Sequence, residues 1–302
     1  MKQTTFIARS ALFVPGNRID RIEKAISSEA DYVIIDLEDA VAPSEKTEAR
    51  KNACQMLQKY HDKNIIVRIN SSASEYFEGD INSIVMPGLF AIILPKANTP
   101  EDIIQINGKL TEAEKKNDLD GDSIKVIPLI ESAYAIENLF NILSVQTNPK
   151  RLLTAAFGAV DYTLDMAIDL TANGEELIYP RSKIAISCRA AGLEMPIDAP
   201  YVLDVKNEHA VRTDALRAKQ LGFGGKLCVH PIQVPICNSV FSPTMDEVEY
   251  AKKVVDAYEK AQMMGDGAIQ LEGRMIDLPV VKRAKNILRI ANLKAIPQKE
   301  KS

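Results

Sequence analysis

Three carboxylates fall within the four residues Asp36-Leu-Glu38-Asp39, directly after the apolar, β-branched run Tyr32-Val-Ile-Ile. Such a run reads as a strand buried on both faces. Unpaired carboxylates are costly to bury, so three at a strand's exit point to a metal, another cation or a proton-transfer task. The competing reading is that Asp36 or Asp39 caps the next helix, because Pro43-Ser-Glu45 follows at once. Further along, polar residues close other apolar runs: Arg68, Lys96, Glu131, Asp161 and His230. Each has a plain structural reading as well. Arg68 could form an internal salt bridge, Glu131 sit in a first helical turn and Asp161 cap a helix. Lys96 could be a loop cation, and His230 a satisfied strand-end histidine. Gathered at one mouth, however, they would supply oxygen ligands and cations together. Glu131 and Asp161 stand thirty residues apart, one strand-plus-helix unit, so adjacent strands could place both on one ion. Two carboxylates completed by water and substrate oxygens suit Mg²⁺.

The elements that must position these residues alternate. Strand-like runs are expected over 10–14, 31–36, 65–70, 89–96, 124–130, 152–157, 195–199 and 227–231, the seventh being weak. Between them lie helix-like stretches over 19–28, 44–60, 174–191 and 207–221, with further helix starts at Thr99 and Ser132. Thr99-Pro100-Glu101-Asp102 is a strong start, with a capping Thr and a Pro in the first turn. Residues 71–88 read as a polar segment. Eight strand–helix alternations point to an α/β fold, a (β/α)8 TIM barrel, with the active site at the C-terminal ends of the strands. A doubly wound open sheet is the runner-up, although no GxGxxG follows the first strand to mark a dinucleotide site. The barrel would fill residues 1–242. Residues 243–302 would form a C-terminal helical extension or lid: a helix to about Met263, a glycine turn (Gly265, Gly267, Gly273) and a last helix over 280–293.

Composition narrows the function classes. Apolar residues make up 46% of the 302, enough for a sizeable core. A net charge of −4 argues against nucleic acid as the main partner, which would want a basic face. No apolar run approaches a membrane span, and the N-terminus lacks the core of a signal peptide. Cys54, Cys188, Cys228 and Cys237 show no CxxC pair or zinc spacing and read as reduced thiols. The expectation is a soluble, cytoplasmic protein without nucleic-acid or membrane partners.

Nine motifs carry a family resemblance. They are Ser10-Ala-Leu-Phe-Val-Pro-Gly16, Asp36-Leu-Glu-Asp-Ala-Val41, Val67-Arg-Ile-Asn70, Leu94-Pro-Lys96, Ile130-Glu-Ser132, Gly158-Ala-Val-Asp-Tyr162, Gly222-Phe-Gly-Gly-Lys226, His230-Pro231 and Gly273-Arg-Met-Ile-Asp277. In this order, over residues 9–293, the chain resembles the citrate lyase β-subunit-like CoA-ester lyases of the HpcH/HpaI aldolase superfamily. The motifs are shared by lyases of citryl, malyl and citramalyl thioesters.

The resemblance implies a TIM barrel with Mg²⁺ held at Glu131 and Asp161, Glu131 also facing the substrate. It implies Arg68 on the substrate carboxyl and enolate oxygens, and the mechanism that goes with it has Glu38 and Asp39 orienting metal-bound waters as a supporting shell, with Asp36 in a structural role. Phe13, Lys24, Val229 and His230 fall where relatives touch CoA. Asp277 matches an aspartate on a lid that closes over a neighbouring subunit's site, acting as general base, so a homo-oligomer, often a trimer, is expected. The implied reaction is Mg²⁺-dependent cleavage or formation of a 3-hydroxy-3-carboxyacyl-CoA thioester. Three rivals accompany it: the β-subunit of a multi-subunit citrate lyase with partner subunits and a carrier-protein thioester, a pyruvate aldolase that ignores CoA, and a non-catalytic acyl-CoA-binding protein. The basic residues Arg18, Arg21 and Lys24 argue mildly for phosphate contacts, or form only a solvated helix face. Many relatives carry Glu where this chain has Val160.

Overall fold

The computed structural model describes residues 6–264 and 268–295. The stretch read for a leader lies partly outside them, at 1–5, as do Gly265 and Gly267 of the expected turn. The chain divides into two compact units, Met1–Phe241 and Ser242–Ser302.

In the first unit eight parallel strands close into a barrel in sequence order: β1 (Ser10–Pro15), β2 (Tyr32–Asp36), β3 (Ile65–Arg68), β4 (Leu89–Leu94), β5 (Lys125–Ile130), β6 (Ala156–Phe157), β7 (Ile197–Asp198) and β8 (Gly225–Cys228). This is the (β/α)8 arrangement expected from the alternation. Successive strand residues face opposite sides, and the two faces fill two separate cores. Ala11, Ile34, Ile66, Ile127, Leu129, Ala156 and Leu227 pack inside the barrel. Leu12, Val33, Ile35, Val67, Ile92 and Ile130 pack outward against the helices. The next inward position beyond the interior layer is therefore fixed by period two. It is Phe13 on β1, Asp36 on β2, Arg68 on β3, Glu131 after β5 and Val229 after β8.

Several elements differ from the sequence expectation. The polar segment contains a helix, Phe77–Ile84, whose buried Phe77, Ile81 and Ile84 recur at helical spacing. The helix expected from Ser132 is broken into Ala133–Glu137 and Leu139–Ser144. Pro180 does not interrupt its helix, Ile178–Ala190, because in the first turn its missing N–H has no intrahelical partner to lose. The eighth strand starts earlier than expected, at Gly225, where the Ala8 carbonyl lies in the space a Cβ would take. Helix Gln233–Phe241 follows it.

Buried ion pairs tie the helices to the barrel wall. Arg181 bridges Asp198 and Asp214, at 2.9 and 2.8 Å, and Lys226 contacts the same two carboxylates. Two cations against two anions leave no net buried charge, which is what makes such a group tolerable away from water. Arg151 and Glu114 form a second buried pair.

The second unit has helices Met245–Met264 and Leu278–Ala295 around a small core of Ala251, Val254, Tyr258, Ile276, Val281 and Ala284. Between them an antiparallel hairpin pairs β9 (Ile269–Leu271) with β10 (Arg274–Ile276). Its Glu272-Gly273 turn has φ of 49° and 78°, the left-handed pair that a two-residue hairpin turn requires.

Candidate active site

The inward positions at the strands' C-terminal ends converge on one cavity of about 300 Å³. Phe13, Asp36, Arg68, Glu131, Val160, Asp161 and Val229 all line it. Arg68 is the best-anchored group there. Its Nε and Nη2 donate to the two oxygens of Asp36 at 2.7 and 2.6 Å, and Nη1 donates to Asp39 at 3.1 Å. The Phe13 ring lies 5.0 Å from its guanidinium carbon. Asp36 in turn accepts the backbone N–H groups of Glu38 and Ala40. Neither Asp36 nor Asp39 caps the next helix: the short 3-10 turn Pro43–Glu45 has Ala42 at its cap with no side-chain hydrogen bond. Asp36 is structural, as the resemblance implies, but its structure-making is done inside the site.

Glu38 is buried with neither carboxylate oxygen hydrogen-bonded. Oε1 lies 3.3 Å from Lys96 Nζ and Oε2 3.4 Å from Arg68 Nη1, ion pairs that lack the alignment of hydrogen bonds. Burial pushes its carboxyl up to about 7, with Arg68 pulling the other way and Asp39 adding to the rise. Glu131 is 5% exposed and accepts the Lys96 backbone N–H at 2.7 Å. To present that N–H, Lys96 holds a left-handed backbone at φ 55°, a strain that non-glycine residues carry mainly at functional positions. Burial, and then the charge of Asp161, push the Glu131 carboxyl up to about 8.

Asp161 lies in the first turn of helix Ala159–Asp165, which starts directly after β6 at Gly158. A Cβ at 158 would stand 2.7 Å from Glu131 Cβ and 2.8 Å from Glu131 Oε2. Only glycine lets the strand deliver its helix this close to the glutamate. Mg²⁺ fits the pair: both donors are hard carboxylate oxygens, and the mutual repulsion that raises Glu131 is what a cation would relieve. Among the described residues no group of three or more His, Cys, Asp or Glu forms a fuller cage. The dense Asp36-Leu-Glu38-Asp39 run is thus a cradle for Arg68 and Lys96.

A second cavity, of about 470 Å³, adjoins the first along Phe13, Val14, Pro15 and Val229. Arg21, Lys24 and His230 line its far side. Arg18 does not; it pairs with Asp20. Val229 is held by its N–H donating to the buried Gln233 side chain at 3.0 Å. Asp277 belongs to the second unit, where its Oδ1 accepts the Val280 N–H at 3.2 Å as a helix cap.

Sequence reasoning missed Lys46, Asn70 and Gly158. Lys46 and Asn70 lie in runs that read as an ordinary helix start and a strand end. A signal for Gly158 existed: a glycine between a strand and a carboxylate-bearing turn.

A model of the HpcH/HpaI aldolase/citrate lyase family matches residues 9–231. The citrate lyase subunit beta of Haemophilus influenzae is 34% identical over 287 residues, covering 94% of this chain and 97% of that protein. The mitochondrial citramalyl-CoA lyase of Mus musculus is 30% identical over 292 residues, 94% of this chain and 86% of that one. Among solved structures, CitE from Mycobacterium tuberculosis in complex with magnesium, acetoacetate and coenzyme A superposes with a TM-score of 0.73. It is 26% identical, covering 95% of this chain and 98% of that one. With its barrel matched by the family model and its length aligned to both relatives, the chain belongs to the HpcH/HpaI aldolase/citrate lyase family.

Proposed function

We propose that this chain is a Mg²⁺-dependent carbon–carbon lyase. It splits a 3-hydroxy-3-carboxyacyl-CoA thioester into a keto acid and an acyl-CoA, or joins the two. The observation that carries the reading is the pair of adjoining cavities. One holds Glu131, Asp161 and Arg68, the other Arg21, Lys24 and His230, and Phe13 and Val229 border both. An acyl head in the first and the phosphates of CoA beside the cations of the second suit one extended thioester. The names of the two relatives, and the magnesium and coenzyme A bound by the solved one, support the same substrate class.

Glu131 and Asp161 hold the ion. Bound there, Mg²⁺ supplies Lewis acidity that makes the substrate hydroxyl easier to deprotonate. As that proton passes to Asp277 of a neighbouring subunit, the Cα–Cβ electrons pass to the thioester, and Arg68 stabilises the developing enolate charge. Arg68 is already oriented by Asp36, so little reorganisation accompanies the step. Glu38 and Asp39 hold Arg68 and Lys96 in place around it. Asp277 of a neighbouring subunit serves as the general acid that protonates the enolate carbon. In the synthetic direction it is the base that removes that proton.

The oligomer is a homotrimer in this reading. Exposed apolar side chains on the barrel's helices, among them Tyr134, Phe140, Leu164 and Ile186, are the kind of surface a second copy covers. A cytoplasmic location goes with it, supported by four unbridged cysteines. Among the described residues no helix is long and apolar enough to cross a membrane. A second reading, the β-subunit of a multi-subunit citrate lyase using a carrier-protein thioester, is favoured by the 34% identity to such a subunit. Retention of Glu131, Asp161 and Arg68 at one mouth counts against a silent acyl-CoA-binding protein.

The test is keto acid release from citramalyl-, malyl- and citryl-CoA by the purified chain, with and without Mg²⁺. Mg²⁺-dependent release from one of them is expected. Activity only with partner subunits and a carrier protein would favour the second reading, and none under either condition would sink both.

A further inference from the structure

Lys46 is a charged residue that no part of the reaction uses, yet it is buried at 7% exposure. It opens helix Lys46–Lys59, and its ammonium faces back toward β2. Nζ donates to the carbonyl oxygens of Leu37 and Glu38, both at 2.7 Å, and to Asn70 Oδ1 at 2.8 Å. The three protons of the ammonium are thereby matched to three acceptors. Asn70 is fixed in its turn. Its Nδ2 donates to Leu37 O at 2.9 Å and to Asp80 Oδ2 at 2.7 Å, and Asp80 also accepts the Asn70 backbone N–H.

These bonds close around the peptide that carries Glu38. Asp36 takes the Glu38 N–H from one side, while Lys46 takes the Leu37 and Glu38 carbonyls from the other. Val41 N–H adds a second bond to the Glu38 carbonyl. The Glu38 side chain, by contrast, has no hydrogen bond of its own. What aims it at Lys96 and Arg68 is the backbone beneath it.

We propose that Lys46, braced by Asn70, is a positioning residue that acts through the Leu37–Glu38 peptide to hold Glu38 against Arg68 and Lys96. Lys46 touches no substrate; its effect passes entirely through Glu38. The kinetic part of this inference rests on the lyase reading above, whereas its structural part does not.

The experiment combines amide hydrogen exchange with a double-mutant cycle, using the full chain. Lys46→Met removes the ammonium at similar length, and Lys46→Arg retains a donor. In Lys46→Met, exchange at the Glu38 and Val41 amides should speed up about 100-fold or more while the β3–β5 amides stay protected. Lys46→Arg should restore most of that protection. In turnover, Lys46→Met should lower kcat at least about tenfold with KM for the thioester little changed. Adding Lys46→Met to Glu38→Gln should cost nothing further. A purely structural lysine would give exchange spread over the barrel and losses that multiply in the double variant; either result overturns the proposal. Should Lys46→Met not fold, Asn70→Ala enters the same cycle with the same expectations. Absence of turnover in the unaltered chain would refute the lyase reading alone, because local exchange still decides whether Lys46 holds Glu38.

Discussion

Asp36 and Arg68 are register partners across β2 and β3, and period two turns both into the barrel mouth. Their side chains meet in two parallel hydrogen bonds of 2.7 and 2.6 Å. A guanidinium held by a carboxylate in this fork is fixed in orientation as well as charge. Asp36→Asn keeps the shape and loses the charge and one acceptor. We expect kcat/KM to fall by about 10- to 100-fold, the scale of one charge-assisted hydrogen bond. Arg68→Lys should lose more, because an ammonium cannot span both oxygens. Steady-state kinetics with the best thioester checks both, and an Asp36→Asn enzyme of full efficiency would show that the fork does not matter.

Gly158 and Glu131 make a second constraint, steric instead of electrostatic. An alanine at 158 must displace the Glu131 carboxylate or the start of the helix bearing Asp161. Gly158→Ala should therefore weaken Mg²⁺ binding by about tenfold or more, or 1.4 kcal/mol. Calorimetric titration measures this, with circular dichroism to show the barrel intact. Unchanged affinity would separate the glycine from the metal site.

Burial and Asp161 push the Glu131 carboxyl up to about 8 from its ordinary value of 4.5. Between those values the folded, metal-free protein keeps a proton that the unfolded chain has lost. The stabilisation from this group is complete below about 4.5 and disappears as pH rises through about 8. The thermal midpoint of metal-free protein should thus fall from about pH 4.5 to about pH 8 more steeply than that of Glu131→Gln. The rise in midpoint on adding Mg²⁺ should grow over the same range, because the ion replaces the departing proton. Parallel pH curves for the two proteins would contradict the assignment.

The cavity lined by Arg21 and Lys24 should separate binding from chemistry. Reversing either charge, in Arg21→Glu or Lys24→Glu, should raise KM for a CoA thioester about tenfold and leave kcat within about twofold. Raised salt should narrow the difference from the unaltered chain. A drop in kcat at constant KM would place these residues nearer the reaction than the cavity does.

Much of this was legible in the chain because period and polarity coincide. A buried strand that ends in a charged residue announces both its face and its end, and Asp36, Arg68 and Glu131 all follow that pattern. Density of charge was the misleading cue. Asp36, Glu38 and Asp39 crowd one loop, yet they face cations, whereas the two proposed ligands come from separate strand–helix units. Lys46 and Asn70 were illegible because they join the Leu37 and Glu38 carbonyls to each other and to Asp80, contacts between distant runs that leave no trace in side-chain spacing. The helix at Phe77–Ile84 was obscured by the polar residues around its three apolar anchors. β6 and β7 were expected at 152–157 and 195–199 and lie there, but each is only two residues long, too short for periodicity to set its ends.

The central claim is that Glu131 and Asp161 hold the Mg²⁺ on which thioester cleavage depends. It is tested most directly by keto acid release from a cleavable CoA thioester during Mg²⁺ titration of the unaltered chain, Glu131→Gln and Asp161→Asn. The account predicts saturable, chelator-reversible activity in the first. It predicts losses of about a thousandfold or more in both variants, with the barrel still folded. Full Mg²⁺-dependent turnover by either variant would contradict it.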